Sequence, residues 1–199
     1  MLNEPTAKVG SVSANKGSKQ HTTNKAPKMM ATFSATDGID HINIDNNRAK
    51  TELGRLLSNF ANTQFQHPEY GPFASIESFW HWIRFAEPTT QAQKEMQDSI
   101  RGLWGSRARA LGRKQNKGVW VENFKEEIIK AIYFKIVQNQ HLYDLFVAST
   151  LPFKYYYIYG PKEIEIMADY SKWLCDGVEQ IRTHLKKNGK DVPFAYKEK

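Results

Sequence analysis

A single cysteine, Cys175, stands among 199 residues. No disulfide framework and no thiolate zinc site can therefore form within one chain, and a reducing, cytoplasmic setting is expected. No run of about 18 apolar residues occurs, which leaves no candidate for a membrane-spanning helix and no expectation of a membrane partner. The N-terminus lacks the apolar stretch of a secretory signal. The six histidines are scattered, and no two lie four apart beside an acid, so no metal site is expected. Glycine-rich phosphate loops and nucleophile elbows are also missing, and no cofactor is expected.

What is present is apolar enough for a real core, with 40% hydrophobic and 13% aromatic residues. The formal net charge is +7, and it is unevenly spread. Lys8, Lys16, Lys19, Lys25 and Lys28 face one acid, Glu4, so residues 1–28 account for +4 of it. Residues 1–36 are rich in Ser, Thr, Asn, Lys and Gly and read as a disordered basic tail. Such a tail can attract nucleic acid by neutralising phosphate, although a merely solvated leader has the same composition. The folded part is expected over residues 37–199.

Along that part, His41 to Asp45 alternates as a short strand would. Ser75 is a good helix N-cap before the apolar, aromatic run Ile76 to Phe85. Glu87-Pro88-Thr89-Thr90 breaks it, and a new helix is predicted from near Thr90 towards Trp104. A basic stretch follows, with Arg107, Arg109, Arg113, Lys114 and Lys117. The clearest helical periodicity begins at Val121 and continues through Leu142, Leu145 and Phe146, predicting a central helix over 121–146. Ile128, Ile132 and Leu145 should be buried, together with Phe60 and Phe79. Tyr155 to Tyr159 has strand propensity, and a last helix spans roughly Asp169 to Lys187. The expected class is α+β and mainly α-helical, with five or more helices, a few short strands and one domain.

Glu77 is the most informative polar residue. It sits in the first turn after Ser75, among Ile76, Phe79, Trp80, Trp82 and Phe85. The helix N-terminus favours its anion, whereas desolvation opposes it. An ordinary first-turn acid would look the same.

Four blocks carry a resemblance. Leu57-Ser58-Asn59-Phe60 precedes Ser75-Ile76-Glu77-Ser78-Phe79-Trp80-His81-Trp82-Ile83-Arg84-Phe85. Ala108-Arg109-Ala110-Leu111-Gly112-Arg113 follows, and then the run from Trp120 through Phe124-Lys125 to Ala148-Ser149-Thr150. In order and approximate spacing, over about residues 42–150, they resemble the NADAR superfamily. That family includes N-glycosidases of riboflavin-biosynthesis intermediates and hydrolases of ADP-ribosylated nucleobases. The chain departs from the family pattern at Ser78, Phe79, His81 and Arg84, where His, Tyr, Gln and Lys are usual. It also lacks the family's Trp-Gly-x-Gly loop after Thr150.

The resemblance implies hydrolysis of an N-glycosidic bond at ribose C1, with an ADP-ribosyl or ribosyl-base small molecule as substrate. Glu77 would stabilise the cationic transition state or activate water. Ser58, Asn59 and Phe60 would meet ribose or base, and Trp80, Trp82 or Trp120 would offer stacking faces. Arg109, Arg113 and Lys114 would hold a diphosphate; Arg84 would serve in the ligand site if the family's Lys there binds phosphate or pairs with an acid, but not if that Lys acts as an amine. The departures favour an alternative, a degenerate relative that binds a nucleotide or partner protein without turnover. A third reading is a nucleic-acid module using the tail and the Arg107–Lys117 stretch.

Overall fold

The computed structural model describes residues 36–45, 48–85, 87–115, 121–159, 162–165 and 168–198. The basic tail, apart from Thr36, lies outside these residues, as do Lys117 and Trp120.

Among the described residues, seven helices are joined by short two-stranded pairings. Strand β1 (Ile42–Asn43) leads to helix α1 (Glu52–Leu57), which Thr51 caps through a bond from the Gly54 amide. Strands β2 (Phe65–His67) and β3 (Gly71–Phe73) form an antiparallel hairpin that turns at Gly71, where φ is +85°. Helix α2 (Ile76–Trp82) follows, then α3 (Gln91–Ser99) and α4 (Gly105–Gln115). Next come α5 (Phe124–Gln138) and α6 (Gln140–Ala148). Strand β4 (Phe153–Lys154) runs parallel to β1, with Ile42 opposite Phe153. Strands β5 (Tyr156–Tyr159) and β6 (Lys162–Glu165) form a second hairpin before α7 (Ala168–Asn188).

Burial follows the helical periodicity of α5. Ile128, Ile129, Ile132 and Ile136 are enclosed, and the hydrophobic cluster around them runs from Ile42 to Leu185. Phe79 is wholly buried. Its ring meets Phe73 edge-on at 5.0 Å and stacks on His67 at 5.2 Å. The Arg101 guanidinium closes this aromatic group from above, 4.2 Å from the Trp82 ring.

Three expectations are corrected here. The predicted helix over 121–146 is two helices. Asn139 leaves the helical region at φ −115° and ψ 100°. Its side-chain amide donates to Lys135 O at 2.6 Å and to Gln64 O at 3.1 Å, so a side chain takes over a carbonyl that a continuing helix would use. Leu145 and Phe60, expected in the core, are only partly buried. The helix from Thr90 stops at Ser99 rather than near Trp104, and the basic stretch forms α4 as far as Gln115.

Candidate functional site

Glu77 occupies the first turn of α2, beyond the Ser75 cap. Ser78 completes that cap. Its amide donates to Ser75 Oγ at 3.0 Å, and its hydroxyl accepts from the Ser75 amide at 3.2 Å. The Glu77 amide donates to Asn59 O at 2.9 Å, tying the start of α2 to the turn after α1. That turn is stapled by Ser58. Its hydroxyl donates to Asp45 O at 3.0 Å and accepts from the Phe60 amide at 3.1 Å.

The Glu77 carboxylate is only 10% exposed, and His81 Nε2, one helical turn on, lies 3.2 Å from its Oε1. Helix α4 crosses α2 at this histidine. A Cβ built on Gly112 would fall 2.1 Å from His81 Cγ, and Ala108, one turn earlier, is fully buried. The small residues of the Ala108–Gly112 element therefore admit the His81 ring between two close helices.

Two tyrosines complete the group. Tyr155 follows β4, and Tyr170 lies in the first turn of α7. The Tyr170 phenol shares hydrogen bonds with Tyr155 and the Asn59 side chain, and both phenols feel the charges of Glu77 and Asp45. Burial foremost pushes both phenols well above the usual tyrosine range; the Tyr170 phenol comes next for Tyr155, and the charges of Glu77 and Asp45 add to both. They stay protonated at neutral pH, so each phenol keeps one O–H to donate and lone pairs to accept with. Glu77, Asn59, Asp45, Tyr155 and Tyr170 thus come together from five stretches of chain.

A cleft of about 620 Å³ opens beside this cluster. Its lining includes Trp80, Phe124, Tyr170, Trp173 and Tyr196, with Glu122, Lys125, Glu126 and Glu198 among the polar residues. Trp80 and Trp173 are nearly parallel, 6.0 Å apart, and Tyr170 stands edge-on to Trp80 at 5.1 Å. Glu77 does not line this cleft; Tyr170 belongs to both.

The other residues singled out in the sequence scatter around this group. Trp80 is mostly core, packed edge-on against Phe124 at 4.7 Å. Phe60 carries the Arg109 guanidinium 5.5 Å above its ring. Arg113 and Lys114 are exposed on α4, and Arg84 is half-buried just past α2. Burial lowers the pKa of Arg84. Trp120 lies outside the described residues.

Sequence reading misses His81 as the partner of Glu77, and it misses Tyr155 and Tyr170. The spacing of Glu77 and His81 at i and i+4 is a usable signal for the first. Nothing local marks the tyrosines, which arrive from more than 75 residues away in the chain. Among the described residues, no group of three or more His, Cys, Asp or Glu side chains is arranged to hold a metal ion. No described helix is long and apolar enough to cross a membrane. No family model matches this chain, and no curated protein matches it.

Proposed function

We propose that the chain is a divergent N-glycosidase of the NADAR type, hydrolysing the bond between ribose C1 and a nucleobase or an ADP-ribosylated base. One observation carries this reading. The buried Tyr170 phenol meets Tyr155 and the Asn59 side chain, both phenols feel the Glu77 carboxylate, and the Glu77 amide is hydrogen-bonded to Asn59. Cleaving an N-glycosidic bond builds positive charge on the sugar, and a fixed carboxylate in a poorly solvated place stabilises it. The phenols supply hydrogen bonds to sugar hydroxyls or to the departing base. Asn59 suits the same polar edges.

The cleft offers aromatic faces for a base, where stacking is worth about 1–3 kcal/mol. Its carboxylates repel a diphosphate, so the anionic end of a ligand would lie towards Arg109 and Arg113 on α4. The enclosure of Glu77 and its pairing with His81 favour the second reading, a protein that binds the ligand without turning it over.

The test is incubation with ADP-ribosylated guanosine, NAD and ADP-ribose. The enzyme reading expects release of the free base. It also expects Glu77→Gln to lower turnover by about 10²–10³-fold with an unchanged melting temperature. Tight binding with no product supports the second reading, and neither binding nor turnover removes both.

A further inference from the structure

Lys135 is the least expected charge in the molecule. It lies on the core face of α5, in the last turn of that helix, and has no exposed surface. Among the described residues no carboxylate pairs with it. Its ammonium instead donates to Ser58 O at 2.9 Å and to Leu57 O at 3.3 Å. These are carbonyls at the C-terminal end of α1, where helical partners run out and a cation is favoured.

The rest of that end of α5 reaches the same stretch of chain. The Asn139 amide donates to Gln64 O at 3.1 Å. Gln138 brackets Gln66, accepting from its amide at 2.7 Å and donating to its carbonyl at 2.8 Å. Lys135, Gln138 and Asn139 therefore form a comb whose teeth hold the backbone from Leu57 to Gln66. Asn59 lies inside that span, and its carbonyl receives the Glu77 amide.

We propose that this comb is the positioning device of the candidate site, with Lys135 as the tooth that sets the Ser58–Asn59 turn against the start of α2. The inference rests on the reading that Asn59 and Glu77 belong to the site. Lys135 touches no reacting atom in this scheme; it acts through the backbone that it holds.

A buried ammonium is expensive. Desolvation pushes this amine down to about 7, and an apolar side chain of similar length would avoid that cost. An apolar side chain would also leave the Leu57 carbonyl without this donor, and the Ser58 carbonyl with the Ala61 amide alone. The hydrogen bonds to the turn are the one compensation that the geometry provides.

The experiment compares the full chain with Lys135→Met, Lys135→Gln and Asn139→Ala by amide hydrogen exchange, which needs no substrate. In Lys135→Met, protection of the Glu77 amide should fall by about tenfold or more, while that of Ile128 to Ile132 in α5 holds. Lys135→Gln keeps a donor group, the side-chain NH2, on a shorter stem and should restore part of the protection. Asn139→Ala should give a smaller loss of the same kind.

Unchanged protection at Glu77 in folded Lys135→Met would overturn the proposal. So would a uniform loss over the whole chain, which means a merely structural lysine. If the native chain turns over a ribosylated base, Lys135→Met should lower kcat by about 100-fold, as expected for displaced groups, with KM changed by no more than about threefold. Absence of turnover in the native chain counts against the proposed function alone, because the exchange result stands without it.

Discussion

Helices α2 and α3 begin in the same way and end up in opposite surroundings. Each starts behind a hydroxyl cap, Ser75 or Thr90, that accepts from the amide three residues on. Each cap is reciprocated by the third residue, Ser78 or Gln93. Yet six of the seven residues of α2, Ile76 to His81, are buried, and none of the nine in α3 is. The cap tells the chain where to turn into a helix. What the helix then does is decided by its faces. The Ile76, Phe79, Trp80 stripe of α2 has aromatic partners from β2, β3 and α5, whereas Gln91 to Ser99 offers almost nothing to bury.

The sharpest way to break that comparison is to remove one large side chain from each helix. Phe79→Ala empties a site ringed by Phe65, Phe73 and His67 and should cost about 3–5 kcal/mol in a urea melt. Met96→Ala in α3, where the side chain is 39% exposed, should stay within about 0.5 kcal/mol. Comparable losses would mean that α3 packs on something as α2 does.

A second test adds atoms instead. Gly112→Ala places a methyl 2.1 Å from His81 Cγ, in a helix crossing with no room. Overpacking of this kind costs about 1–3 kcal/mol, which outweighs the helix preference of alanine over glycine, about 1 kcal/mol. The displaced ring would also let go of Glu77. Gly102, in the turn before α4, has nothing within 4 Å of the same position. Gly102→Ala should leave the melting temperature unchanged. An equally silent Gly112→Ala would show that His81 has another place to go, and the Glu77 pairing would lose its fixed geometry.

These contrasts also mark how far the sequence can be read. Ser75, Thr90 and the isoleucines of α5 announce themselves, because caps and periodicity are local. The break at Asn139 is hidden, because Leu142, Leu145 and Phe146 continue the apolar rhythm across it. The competing signal is a side-chain amide whose acceptor, Gln64 O, lies far back in the chain. The site divides in the same way. Glu77 and Asn59 can be picked out within their own short blocks, whereas Tyr155 and Tyr170 become its neighbours only when β4 and α7 fold back. Lys135 is illegible for a further reason. A lysine among isoleucines reads as a solvent-facing break in the stripe, and only the carbonyls of Leu57 and Ser58 explain its place inside.

The smallest expected difference is the most direct test of the comparison itself. Ser75→Ala and Thr90→Ala each delete one capping oxygen, and caps lie in a range of about 0.5–2 kcal/mol. Ser75 is fully buried, and its hydroxyl also donates to Leu103 O at 3.1 Å. Its loss removes a donor from the part-buried Leu103 carbonyl and strands the buried Ser78 amide, which places it near the top of that range. Thr90 is exposed, so water replaces the lost bond and the cost falls near the bottom. Thermal melts of the two variants should therefore separate by about 1 kcal/mol. Equal losses would mean that the two capping boxes contribute by local geometry alone, and that burial of α2 adds nothing to the strength of its first turn.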